Sequence, residues 1–281
     1  MSIAGGVHKA LQRGASISCE VVQIFTKNQL RWAAPPLRED EIRVFRRRRR
    51  EFKYILAHAS YLINLASPDD RVYGKSVSAL EEELDRCHAL DIPALVLHPG
   101  YHLGLGEDRA IERLAMGVRS AYERSGGKEV LLALETMAGQ GSSLGGSFEQ
   151  LKTILSAVEA DGIPVGICFD TCHVFAAGYE LRTRSGYDRT WRKFDRIIGR
   201  RYLIALHLND SKGGLASGKD RHEHIGKGRI GLPGFRLLSQ DPRLLRIPGI
   251  LETPKGRDMR EDVENLRILR SLTSRTSEPG S

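Results

Sequence analysis

Short apolar runs alternate with amphipathic stretches along nearly the whole chain, and this alternation constrains the fold more than any other feature. Seven runs are rich in Val, Ile and Leu: Glu20–Lys27, Tyr54–Ser60, Ala94–Gly100, Val130–Glu135, Val165–His173, Leu203–Ser211 and Pro248–Pro254. They read as strands buried on both faces. Between them, apolar residues recur at helical spacing. Ile111, Leu114, Ala115, Val118 and Tyr122 share one face, as do Met259, Val263, Leu266, Leu269 and Leu272. Such alternation in one domain predicts a parallel sheet with right-handed crossovers. The number of units predicts an α/β chain closed into a TIM (β/α)8-type barrel, here one strand short. A helix-like segment, Gly6–Ser16, opens the chain with no strand before it. Residues 1–272 are expected to form one domain, and 273–281 a frayed polar tail.

Composition narrows the class. The 281 residues hold 43 Lys and Arg against 35 Asp and Glu, a net charge of +8, with 41% apolar residues. That balance excludes wholesale disorder. No apolar run is long enough to span a bilayer, and Met1-Ser-Ile-Ala-Gly-Gly lacks the regions of a signal peptide. Four cysteines (Cys19, Cys87, Cys168, Cys172) are too few for a disulfide scaffold, so a reducing compartment, the cytoplasm, is expected. The positive charge points weakly to a polyanionic partner. The basic run Arg46–Arg50 is better read as the solvent side of a barrel helix, because Ile42, Phe45 and Phe52 supply an apolar stripe.

Histidines and carboxylates recur where the apolar runs stop. His58, His98, Glu135, Asp170, His173, His207 and Glu252 close runs, and Asp220 and His222 follow in the next loop. In a parallel barrel all strand C-termini open onto one face, so these nine side chains can converge. Uncompensated, such a cluster would be costly to desolvate. Bound cations resolve the cost, and His with carboxylate but no thiolate suits Zn²⁺, Mn²⁺ or Fe²⁺. Nine ligands exceed one tetrahedral site and fit two or three ions. Cys168 and Cys172 flank Asp170 at period two and should share its face if the strand stays regular; they read as small core residues. Cys87, His88 and His8 fall on helices, while His102 and His224 suit a supporting or a plain loop role equally.

In this order the motifs Gln23-Ile-Phe-Thr-Lys-Asn-Gln29, His58-Ala-Ser-Tyr-Leu-Ile-Asn64, Leu97-His-Pro-Gly100, Leu134-Glu-Thr-Met-Ala-Gly-Gln-Gly141, Cys168-Phe-Asp-Thr-Cys-His173, His207-Leu-Asn-Asp-Ser-Lys212, Asp220-Arg-His-Glu-His-Ile-Gly226 and Leu251-Glu-Thr-Pro254 carry a strong likeness. The chain resembles the endonuclease IV family of abasic-site DNA endonucleases from Ser2 to about Leu272. The resemblance implies a xylose-isomerase-like barrel with three zinc ions, Mn²⁺ being able to substitute. His58 and His98 would hold one ion, with Glu135 bridging to a second completed by Asp170, His207 and Glu252. His173, Asp220 and His222 would hold the third. Glu135 and Glu252 are the carboxylates implied in catalysis. Tyr61 and Leu62 match positions inserted beside a flipped abasic nucleotide, and Asn28, Gln29 and Lys212 could contact the DNA backbone. The implied reaction cuts duplex DNA 5′ to an abasic site, leaving a 3′-hydroxyl and a 5′-deoxyribose phosphate. Substrates would include 3′-blocked ends, and the enzyme would be a cytoplasmic monomer, nucleoid-associated if bacterial.

The chain departs from the family in three places. Leu30, followed by Arg31, stands where some relatives have Arg, and Thr136-Met137 replaces Asn-Thr after Glu135. Relatives begin with an extra strand, roughly Ile-Gly-x-His-Val, ahead of the Ser-Ile-Ala-Gly-Gly segment at which this chain starts. A start codon assigned too far downstream is favoured over true truncation or compensation by another segment. Two other functions compete. A sugar isomerase or epimerase of a related barrel would need one or two metals and have no use for His173, Asp220 and His222. A truncated, non-catalytic DNA-binding relative would bind abasic DNA without cutting it. A chain extended upstream by one strand is expected to be more soluble and more active; equal melting temperature and activity would contradict this.

Overall fold

The computed structural model describes residues 1–256 and 258–273. Seven parallel strands follow one another around a nearly closed barrel: β1 (Val21–Phe25), β2 (Tyr54–His58), β3 (Ala94–Leu97), β4 (Leu131–Glu135), β5 (Val165–Asp170), β6 (Leu203–His207) and β9 (Gly249–Ile250). A separate antiparallel pair, β7 (Asp210–Ser211) and β8 (His222–Glu223), rises from the loop after β6. The helices are α1 (Val7–Ser16), α2 (Glu39–Arg49), α3 (Asp70–Leu90), α4 (Glu107–Arg124), α5 (Phe148–Glu159), α6 (Thr171–Ala176), α7 (Arg184–Ile197), α8 (Gly231–Ser239) and α9 (Arg260–Thr273).

Alternate strand residues serve two apolar layers, as a pleated strand requires. Leu56, Ala94, Val96, Ala133, Cys168, Ala205 and Ile250 fill the barrel interior. Their neighbours Ile55, Ala57, Leu95, Leu97, Leu132, Leu134, Ile167 and Phe169 face outward, into the larger core shared with the helices. Small residues dominate the inner layer, which leaves room at the strand ends for polar side chains. The basic run behaves as a structural face. Arg46 donates to the Ala89 carbonyl at 2.8 Å and to that of His88, and Arg49 donates to that of Asp91. Carbonyls at the end of α3 thereby gain side-chain donors, with cations at the negative end of its dipole.

All seven predicted strands are shorter in the structure, three of them for visible reasons. The run Val165–His173 divides after Asp170, because the Asp170 carboxylate accepts the His173 backbone N–H at 2.8 Å and caps α6. Cys172 therefore lies on a helix rather than on Asp170's strand face. Leu203–Ser211 breaks after His207, and within Pro248–Pro254 only Gly249–Ile250 pairs. α9 is rotated from the expected stripe: Asp262, Asn265 and Leu272 are buried, Val263 is 47% exposed, and Met259 precedes the helix at φ 57°. The reason is polar, since Asn265 accepts the Ile225 N–H at 2.9 Å and donates to Thr253 at 3.0 Å. Thr273, at the start of the expected tail, still belongs to α9; residues 274–281 lie outside the described residues.

Among the described residues no ladder joins β1 to β9, so the barrel keeps one unsealed seam. A cleft of about 530 Å³ opens there, lined by Val22, Ile24, Ile250, Leu251 and residues 1–4. The β5–β6 junction is tightly closed. A Cβ on Gly166 would stand 2.8 Å from the Tyr202 carbonyl oxygen and collide with Ile204 of the neighbouring strand. Gly166→Ala is expected to cost about 1–3 kcal/mol of stability, measured by denaturant unfolding of the metal-free protein.

Candidate metal centre

All nine predicted side chains meet at the C-terminal mouth of the barrel. His58, Glu135, Asp170 and His207 are the last residues of β2, β4, β5 and β6; His98 follows β3 directly and Glu252 lies just after β9. His173 comes from α6, Asp220 from the loop before β8, and His222 from β8 itself. Their ligand atoms gather into three groups, the first two sharing Glu135: His58, His98 and Glu135; Glu135, Asp170, His207 and Glu252; and His173, Asp220 and His222, each within 4.8 Å. The two oxygens of Glu135 face different groups. One lies 3.1 Å from both His58 Nε2 and His98 Nε2, and the other 2.9 Å from His207 Nδ1.

The ring nitrogens show why such a cluster needs cations. His58 Nδ1 lies 2.7 Å from the Ala59 carbonyl, His173 Nδ1 2.8 Å from that of Thr136, and His222 Nδ1 3.1 Å from that of Glu252. A carbonyl only accepts, so each of these nitrogens carries a proton. In a neutral ring the other nitrogen is then a bare lone pair. Those nitrogens face carboxylate oxygens: His58 faces Glu135, and His173 faces Asp220 at 3.1 Å. His173 Nε2 and His222 Nε2 also face each other at 3.4 Å. Lone pair against lone pair is repulsive unless a proton or a metal ion lies between, and metal-ligand histidines characteristically give their other N–H to a carbonyl or carboxylate in this way. The donor set therefore fits divalent ions.

Electrostatics in the protein alone point the same way. Burial by itself would lower the pKa of His58, His173 and His207. The carboxylates outweigh it, Glu135 acting on His58, and Asp170, Asp220 and Glu135 on His173, so both are raised. His207 is raised by a hydrogen bond to the Cys168 sulfur together with the Glu252 and Glu135 carboxylates. Burial would raise Glu135, Glu252 and Asp220, but the facing histidines hold all three below the ordinary carboxylate range. Without metal, the cluster holds itself together by protonating imidazoles. Cys172 comes within 4.8 Å of Asp170 and His222, but burial pushes its thiol up to about 12 and keeps it neutral. Cys168 lies deeper in the barrel, also raised by burial to about 12.

Three residues support the centre, of which only Thr136 stood out in the sequence, as a departure from the family. Gln23 donates to Glu252 at 2.7 Å and accepts from His207 Nε2 at 2.9 Å, which turns His207 Nδ1 toward the carboxylates. Asn209 donates to Asp170 at 2.6 Å and accepts the Glu252 N–H at 2.7 Å. Thr136 accepts the Asp170 N–H through its hydroxyl and His173 through its carbonyl. Gln23 and Asn209 lie inside quoted motifs, but only the fold shows what they touch. His224 bonds Asn265, and His102 accepts from Gly104 in its own loop. His88 pairs with Glu129 on the surface.

The expected DNA-facing residues surround the same mouth. Tyr61 is 51% exposed, with its ring centroid 5.3 Å from that of His58 and 5.6 Å from that of His98. Leu62 is half-buried beside it. Asn28 and Lys212 are exposed; Gln29 is half-buried and its carbonyl accepts the Ser60 hydroxyl at 2.7 Å. Leu30 is 67% exposed, and Arg31 is exposed as well.

Comparison with known proteins agrees with this geometry. The family model described as "Xylose isomerase-like TIM barrel" matches residues 11–271. A protein of Chloroflexus aurantiacus named "Probable endonuclease 4" is 46% identical over 274 residues, covering 97% of this chain and 96% of that one. One of the same name from Geobacter sulfurreducens is 46% identical over 277 residues, 98% of this chain and 93% of that one. This chain belongs to the endonuclease IV family. The crystal structure of endonuclease IV from Thermus thermophilus superposes with a TM-score of 0.86 at 34% identity, covering 97% of this chain and 96% of that one. A D-tagatose 3-epimerase-like protein, at 22% identity and a TM-score of 0.66, shares the fold.

These pKa directions give a pH signature. The raised histidines stabilise the metal-free fold below their ordinary value of about 6.5, and that contribution is lost as pH rises through their raised values. The depressed carboxylates contribute above about 4 and lose it as pH falls through their lowered values. Metal binding displaces the imidazole protons, so it is favoured as pH rises. The gain in melting temperature on adding Zn²⁺ is expected to grow between about pH 5.5 and about pH 8. A flat or falling gain, followed by calorimetry, would contradict the assignment.

Proposed function

We propose that this chain is a zinc-dependent abasic-site endonuclease, hydrolysing the phosphodiester 5′ to an abasic site in duplex DNA to leave a 3′-hydroxyl and a 5′-deoxyribose phosphate. The observation that carries the reading is the third ligand group, His173, Asp220 and His222, set beside the two groups that share Glu135. The 46% identity to proteins named endonuclease 4 supports it. A sugar isomerase or epimerase needs only the Glu135-centred groups, and the epimerase-like neighbours share fold alone.

His58 and His98 would hold one ion, Asp170, His207 and Glu252 a second, and His173, Asp220 and His222 a third, with Glu135 shared between the first two. Ions held there would supply charge neutralisation for the phosphodiester, hydroxide near neutral pH and stabilisation of the leaving oxygen. The protein's own part is positioning. Glu135 presents one oxygen to each of two ligand groups from a site with no exposure, so its carboxylate cannot swing away. Gln23 fixes one Glu252 oxygen and leaves the other facing His207 at 3.1 Å. Glu135 and Glu252 are thus the carboxylates on which the reacting groups depend. Tyr61 and Leu62 would enter the stack beside the extruded sugar, which is easier at a site already lacking its base. Asn28, Gln29 and Lys212 would contact phosphates. Blocked 3′ ends fit the same centre. We place the enzyme in the cytoplasm, on the nucleoid if bacterial, as a monomer that tolerates Mn²⁺ in place of zinc.

The test is incision of a duplex carrying one abasic site. Metal-replete protein should cut it, a strong chelator should stop it and Zn²⁺ restore it. Glu135→Ala should lose at least about 100-fold, since loss of a mere supporting partner already costs about 10–100-fold. Persistent incision by that variant, or binding of abasic DNA by metal-replete wild type without cutting, would overturn the reading.

A further inference from the structure

The loop after β3 carries two exposed apolar side chains that neither the metal centre nor the core uses. Tyr101 is 39% exposed and Leu103 59%. They follow His98 by three and five residues, so they stand at the rim of the same mouth as Tyr61. The loop is not slack. Tyr101 is held on both sides by the Asn64 side chain, which accepts its N–H and donates to its carbonyl, each at 3.0 Å. Gly100, at φ 93°, makes room for this clamp, because a Cβ there would strike the Asn64 amide oxygen. On the far side Tyr101 forms a β-bridge with Ser143, His102 donates to the Ser142 carbonyl at 2.9 Å, and Leu144 donates to that of Gly100 at 2.8 Å. Asn64 belongs to the turn that presents Tyr61 and Leu62; Ser142–Leu144 belong to the loop after Glu135. The Tyr101 backbone is therefore fixed between two elements of the centre.

Leu103 adds a second observation. Its φ is 45°, a left-handed conformation that a leucine adopts only at a cost. Glycine would fit without that cost, and the flanking Gly104 and Gly106 are also left-handed. A strained residue whose side chain contributes little burial is a pointer to function.

We propose that Tyr101 and Leu103 form a second stacking and wedging element for damaged duplex DNA, next to Tyr61 and Leu62, and that its ligand is the nucleobase left unpaired opposite the abasic nucleotide. An abasic site leaves that base without a partner and partly unstacked. Its flat apolar face matches an exposed tyrosine, and a leucine held out from a fixed loop can fill the vacated step. Asn64 is a positioning residue, acting through the Tyr101 backbone. The inference rests on the abasic-site reading above.

The experiment measures kcat, KM and melting temperature with zinc-loaded wild type, Tyr101→Ala, Leu103→Gly and Met116→Ala on a duplex bearing one tetrahydrofuran abasic analogue. Binding to the undamaged duplex and the oligomeric state are followed in parallel. Met116, 54% exposed on α4, is the control. Tyr101→Ala should raise KM about 5- to 100-fold with kcat at saturation kept, the range that loss of base stacking gives. Leu103→Gly should raise KM at least about fivefold while its melting temperature stays level or rises, because strain is relieved as a contact is lost. Met116→Ala should match wild type. The inference is overturned if wild type incises the abasic duplex and both loop variants match it. It is also overturned if affinity and melting temperature fall together, if damaged and undamaged duplex weaken equally, or if the variants change only self-association. Wild type failing to incise abasic DNA would instead remove the reading beneath it.

Discussion

Glu135 has no exposed surface, and imidazole nitrogens stand about both of its oxygens. Burying a carboxylate is costly unless it is paired and hydrogen-bonded. Here the partners are themselves committed, since His58 and His173 spend Nδ1 on backbone carbonyls and His207 spends Nε2 on Gln23. What remains is a ring of electron pairs aimed inward. Protons fill it while the raised imidazoles stay charged, and divalent cations displace them as pH rises. The strand ends, the α6 cap at Asp170 and the rise of β7 and β8 all serve to hold those electron pairs at fixed separations.

The barrel supplies that rigidity by division of labour. Small residues such as Ala94, Ala133 and Ala205 fill the interior below the centre, while larger neighbours pack outward on the helices. Buried polar residues then tie the mouth loops to one another. Asp210, with no exposure, accepts the N–H groups of Gly226, Gly228, Ile230 and Gly231 and so fixes the loop that follows β8 and its His222. Ser60 joins the turn of Tyr61 to the loop of Gln29, and Asn64 joins it to Tyr101. The rim that would meet DNA is in this way an extension of the metal centre rather than a fringe around it.

Much of this was legible in the sequence, for definable reasons. Strand–helix alternation implies a parallel barrel, a parallel barrel places all strand C-termini together, and the nine ligand types sat at those ends or in the loop beyond. Strand lengths were less legible, because an apolar run such as Val165–His173 does not reveal that Asp170 will turn its carboxylate back to cap a helix. The α9 stripe was misread for a related reason: periodicity finds leucines, but Asn265 and Asp262 are buried by polar partners supplied from other parts of the fold. Gln23, Asn209 and Thr136 were visible as motif letters without roles, since their contacts span 34 to 229 residues of sequence. The basic run showed the converse. Its charge suggested DNA, its spacing suggested a solvent face, and the structure uses Arg46 and Arg49 to close the end of α3.

The account stands on the claim that the three adjoining ligand groups exist to hold three cations. The most direct measurement is the number of metal ions per chain in purified, active protein, by elemental analysis against an independent protein concentration. Three tightly held ions, falling to two when His222 is replaced by alanine, is the predicted result. A single ion per chain in fully active protein would contradict it.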